Sequence, residues 1–171
     1  MYNKTILILL LAVAPVGLGR RTLTLNNQPS DFAIYLLKDD TLQIWQVKGL
    51  SLSALDLANR PLVGISDIES YQWSDHSIRL TIAGIAKFKA LEDKTNSTSG
   101  FPFVVVVGNE RVYLGNIYRM HSSYMPGDLP LIFAPIVRTL KIGRALDRSI
   151  EDKRNDLRVY KELARRNKLA S

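Results

Sequence analysis

Residues 61–118, PLVGISDIESYQWSDHSIRLTIAGIAKFKALEDKTNSTSGFPFVVVVGNERVYLGNIY, run through strand-like, helix-like and strand-like patterns with clear punctuation between them. Ser77-Ile78-Arg79-Leu80-Thr81-Ile82 alternates with period two, which puts Ile78, Leu80 and Ile82 on one face of a half-buried strand. After Gly84 the period lengthens. Ile85, Phe88 and Leu91 recur at helical spacing with Lys87, Lys89 and Glu92 between them, and Thr81 or a neighbour stands where an N-cap belongs. The polar run 95–100 ends that helix, because it cannot bury enough apolar surface to stay regular. Residues 103–107 are a continuous apolar, β-branched run suited to a central strand covered on both faces. Gly108, Asn109 and Glu110 supply a hairpin, and Val112 and Leu114 alternate with Arg111 and Tyr113 on the return strand. The reading predicts an α+β fold: a small antiparallel or mixed sheet with a β-α-β-β unit packed by one helix.

Working outward, residues 33–37 and 42–47 read as two strands around the acidic turn Asp39-Asp40. Leu50, Leu52, Leu55 and Leu57 follow at spacings that fit either a strand or a short helix. Beyond the hairpin, residues 119–130 are the longest irregular segment, and residues 131–134 read as a last edge strand. From Thr139 onward Ile142, Leu146, Ile150, Leu157, Tyr160 and Ala164 keep helical spacings, so residues 138–171 are expected to form a basic amphipathic helix. The chain of 171 residues is 46% hydrophobic, enough for one normal core.

At the amino end, Lys4 precedes an apolar run from Thr5 to Val16, and Gly17 and Gly19 place small residues before Arg20. This is the pattern of a secretory signal peptide over residues 1–19, followed by a flexible lead-in over 20–31 and the main α+β domain over 32–137. The expected location is outside the cytoplasm: periplasmic in a Gram-negative host, otherwise secreted or at the cell surface. An uncleaved anchor is the alternative. There is no cysteine, which excludes disulfides and lipid attachment through Cys. The net charge of +7 is concentrated. Residues 138–171 hold 11 Lys/Arg and 5 Asp/Glu, and the remainder is nearly neutral.

Leu62-Val63, Asp67-Ile68, Ser77 to Thr81, Gly84, Phe88, Gly100, Pro102 and the run 104–107 together resemble the periplasmic head region of the SecD/SecDF protein-export family, over residues 61–118. The resemblance implies an exported, head-like domain. It does not imply a motor, because the membrane helices that answer the proton motive force have no counterpart in the sequence.

Chemistry-bearing patterns are sparse. His76 and His121 are the two histidines, and neither accompanies a nucleophile elbow. No paired histidines, Asp-x-Asp-x-Asp loop, P-loop or dinucleotide fingerprint is present, so no catalytic residue, metal or cofactor is assigned. His76 beside Asp75 reads as a solvated turn residue. Trp45, Tyr71, Trp73, Tyr113 and Tyr118 are either core and cross-strand pairs or an aromatic platform. The expectation is a non-catalytic envelope protein that binds polypeptide or other envelope partners through a sheet edge and the 119–128 loop, with Tyr113, Tyr118, Arg119, His121 and Tyr124 as contact residues. A carbohydrate-binding protein or hydrolase using the His121 loop is the competing reading. The basic tail docks on the body or on a second copy, or it meets an anionic membrane surface; nucleic acid is not an expected partner.

Overall fold

The structure, a computed structural model, describes residues 31–94, 100–119, 122, 124–134 and 137–170. The expected signal peptide over residues 1–19, nearly all of the expected lead-in and His121 lie outside those residues. Eight strands form one mixed sheet: β1 Phe32–Leu36, β2 Val63–Gly64, β3 Ile68–Gln72, β4 Ser77–Leu80, β5 Phe101–Val107, β6 Glu110–Tyr118, β7 Leu131–Phe133 and β8 Thr139–Gly143. Their order is β2-β1-β5-β6-β7-β8-β4-β3, and only β6 and β7 pair in parallel. Among the described residues the α-helices are α1 Ile44–Val47, α2 Ile82–Lys94 and α3 Leu157–Arg165.

The edge strands β2 and β3 are consecutive in the chain, joined by the 3₁₀ turn Ile65–Asp67. A flat eight-stranded sheet would hold its edges about 34 Å apart at ~4.8 Å per strand. The link from Gly64 to Ile68 spans at most about 14 Å. The sheet therefore curls until it is nearly a barrel. Its inner face carries Ile34, Phe103, Val105, Ile117, Ile132, Ile142, Ile78 and Leu80, packed with Phe88 of α2 and Val159 and Leu163 of α3. A second, smaller cluster on the outer face joins Val104, Val106 and Leu114 to Leu37, Ile44, Val47 and Leu55. β5 is thus buried on both faces, which is why its sequence is uninterrupted by polar residues.

Local choices follow the expected rules at several points. Thr81 caps α2, its Oγ1 accepting from the Gly84 N–H at 3.2 Å, and Ile85, Phe88 and Leu91 turn to the inner core as their spacing predicts. Gly108 (φ 61°) starts the two-residue connection of the β5–β6 hairpin, where a side chain would be strained.

Four expectations are corrected. Residues 44–47 are helical and not a strand: Ile44 and Val47 bury together at i, i+3, while Gln46 Oε1 accepts from the Gln43 N–H at 2.7 Å at the start of the turn. Residues 139–143 are a strand, because Leu140 and Ile142 alternate with exposed Thr139 and Lys141; the helix begins only at Leu157. β7 lies inside the sheet between β6 and β8, not at an edge. β4, α2, β5 and β6 do follow one another in the chain, but β4 and β5 are not neighbours in the sheet. The 50–57 stretch contains a 3₁₀ turn, Leu52–Ala54, and a bridge from Leu57 to Leu37.

Candidate functional site

The period of two along β6 sorts the expected contact residues onto opposite faces. Tyr113 points inward, 4% exposed, edge-on to Phe103 with centroids 6.5 Å apart, and burial pushes its hydroxyl well above the usual tyrosine range. It faces the core and not a partner. Arg119 also turns to the inner side. Its guanidinium lies 5.8 Å from the Phe101 ring centroid and donates to the Glu92 carbonyl near the end of α2, while its backbone N–H donates to Ser122 Oγ at 3.0 Å. A cation at a helix C-terminus is favourable, and here it ties α2 to β6.

Tyr118 faces outward but is only 1% exposed, lying beside Phe133 at 6.0 Å; burial pushes its hydroxyl up to about 12, with Asn116 partly opposing. Tyr124 is exposed and stands edge-to-face with Trp45 at 5.5 Å and 84°. Trp45 and Phe133 are 50% and 53% exposed, Met125 is exposed as well, and the Lys48–Asp128 ion pair (3.3 Å) lies close by. Tyr124 and Asp128 stand within electrostatic reach of the Tyr118 hydroxyl, and each adds to its upward shift after burial. Among the five expected residues, then, Tyr118 and Tyr124 come together, Tyr113 and Arg119 lie on the other face, and His121 is outside the described residues.

Sequence reasoning did not name Phe133 or Met125 as contact residues and left Trp45 between a core pair and an aromatic platform. Reading Ile44 and Val47 as one helical face would have exposed Trp45, and alternation about Ile132 would have exposed Phe133.

The sheet edges already have partners at the positions that could accept a strand. The Gly64 N–H of β2 donates to Asp67 Oδ2 at 2.8 Å, and that carboxylate also holds Lys87 at 2.6 Å. On β3, the Tyr71 N–H donates to the Lys168 carbonyl at 2.6 Å and the Tyr71 carbonyl accepts from Ala170 at 2.9 Å.

His76 is not solvated as expected. It is 3% exposed at φ 56°, its Nδ1 lies 2.9 Å from the Tyr71 hydroxyl, and its ring packs on Trp73. Burial first, and then the Arg154 guanidinium, lower its pKa. Arg154 is itself paired with Asp152 at 2.6 Å. A cleft of about 540 Å³ between Leu52, Val112 and residues 151–158 is lined by charges that pair with one another, Glu151 with Lys153 and Asp156 with Arg158. Both arginines of α3 are engaged as well, Arg158 with Glu110 and Arg165 with Glu162, as is Arg166, just past its end, with Asp31 and Glu162. Among the described residues no helix is long and apolar enough to cross a membrane, and no three His, Asp or Glu side chains gather into a metal-holding group.

No protein-family description matches the chain, and neither the curated proteins nor the solved structures contain a match to it.

Proposed function

We propose that this chain is an exported, non-catalytic envelope protein that binds extended apolar segments of other polypeptides through the surface formed by Trp45, Tyr124, Met125 and Phe133. The observation that carries this reading is that three large aromatic side chains and a methionine stand exposed over a sheet whose own core is closed beneath them. Aromatic and methionine side chains are the residues that dominate protein contacts, and the Lys48–Asp128 pair provides a polar rim. The perpendicular Trp45 and Tyr124 rings make a ridged surface, which suits apolar side chains better than the flat face of a sugar. Export is supported by the basic-then-apolar pattern of residues 4–19, and the SecD-head resemblance of residues 61–118 agrees with a polypeptide partner.

The test uses Trp45 as reporter in a Trp73→Phe background, titrated with a reduced and alkylated unfolded polypeptide and, separately, with a neutral oligosaccharide. A saturable fluorescence change with the polypeptide, weakened at least about tenfold by Tyr124→Ser or Phe133→Ser, is expected; that factor corresponds to about 1.4 kcal/mol. Saturation by the oligosaccharide alone moves the surface to the glycan class, and no response to either ligand overturns the binding role.

A further inference from the structure

A second surface stands apart from the aromatic one. α3 ends in a paired turn: Asn167, at φ 54°, donates its N–H to the Ala164 carbonyl at 3.0 Å, and Lys168 donates to the Leu163 carbonyl at 2.8 Å. This turn sends the last residues back along the outside of β3. There Leu169 bridges Tyr71 in parallel, the Tyr71 N–H and carbonyl are both taken by the tail, and Lys168 Nζ donates to the Ile68 carbonyl at 2.6 Å. The Leu169 side chain packs against the inner core cluster. A strand edge thus has a backbone ladder, a side-chain seat for one aliphatic residue, and a carbonyl for one cation, and all three are filled by residues 168–170.

We propose that the outer edge of β3 is an acceptor for an extended peptide strand carrying a lysine followed by an aliphatic residue, and that residues 168–170 occupy it in cis. The chain's own tail supplies the chemistry of the ligand. Backbone bonds give the affinity, while the Leu169 seat and the Ile68 carbonyl give the selectivity. A tethered occupant competes at high effective concentration, so a free peptide enters only when the tail leaves.

The experiment compares the full chain with a chain ending at Asn167. The probe is a fluorescent peptide of residues 165–171, Arg-Arg-Asn-Lys-Leu-Ala-Ser, and its Leu169→Asp form. Saturable binding of the native peptide to the shortened chain, at least tenfold weaker binding to the full chain, and at least tenfold loss with Leu169→Asp are expected. Equal binding of both peptides, or none by a shortened chain whose circular dichroism matches the full chain, overturns the proposal. Should the shortened chain not fold, amide exchange in the full chain decides. Ala170 and Tyr71 amides exchanging at least tenfold faster than those of Val104 and Val105 support a displaceable occupant, and equal protection refutes it.

Discussion

Gly115 and Phe103 share one cross-strand position, and the phenyl ring occupies the space a side chain at 115 would need. A Cβ placed on Gly115 would lie 2.3 Å from Phe103 Cζ and 2.7 Å from the Pro130 carbonyl. Gly115→Ala is expected to cost about 1–3 kcal/mol by urea unfolding, as overpacking does. Combined with Phe103→Leu it should cost less than the two changes summed; strict additivity would refute the clash. His76 gives a second residue-scale prediction. Because its pKa in the fold lies below the ordinary 6.5, the unfolded chain binds the proton more readily, so stability is full above about pH 6.5 and falls as pH drops through that value toward the folded pKa. The groups facing it are Tyr71, Asp75, Asp152, Arg154 and Asn155. Asp75 and Asp152 have lowered pKa values of their own, so they contribute only below about pH 4. Denaturation measured between pH 4.5 and 7 should therefore show a slope that His76→Gln removes; an unchanged slope assigns it elsewhere. The sequence placed His76 in a turn correctly but left it solvated, since nothing local shows that Trp73 and Tyr71 close over it.

At the scale of elements, the corner joining β2, β3 and α2 depends on Asp67, which is buried while holding the Gly64 N–H, with its own carbonyl accepting from Thr81 at 2.9 Å. Asp67→Ala should destabilise the fold by about 1–3 kcal/mol, because buried donors lose their acceptor. Lys87→Ala should cost no more than about 1 kcal/mol, its ammonium being partly solvated. Equal losses from the two variants would mean that the ion pair, and not the backbone bond, holds the corner. Elements with one strong period were legible: β4, β5 and the β5–β6 hairpin appear where the pattern puts them, whereas α2 starts before Gly84, at Ile82, which is 87% exposed and not on the buried face of β4 as expected. α1 was not, because Leu42, Ile44 and Val47 fit two periods over six residues and only the covering of Val104 and Leu114 selects the helix. The β6 faces were obscured by a bulge opposite Val105 and Val106, which leaves Val112 extra and brings it to the same core as Tyr113.

For the whole molecule, the consequence of the curl is that the segment from Arg138 onward is not an appendage. β8 sits between β7 and β4, so it joins the hairpin half of the sheet to the β3–β4 half. Deletion from Arg138 onward should leave a chain without cooperative thermal unfolding by circular dichroism; a sharp transition in the deleted form would show that residues 32–137 fold alone. By itself the sequence determined the mixed α+β class, the doubly covered strand at 103–107 and the capped helix after Thr81, because each is written in residues close together in the chain. Which strands become neighbours, which aromatic rings face outward, and what fills the edge of β3 were decided only by tertiary structure. Those outcomes depend on a short link drawing two edges together and on the C-terminal segment reaching Tyr71, contacts between residues far apart that no local period records.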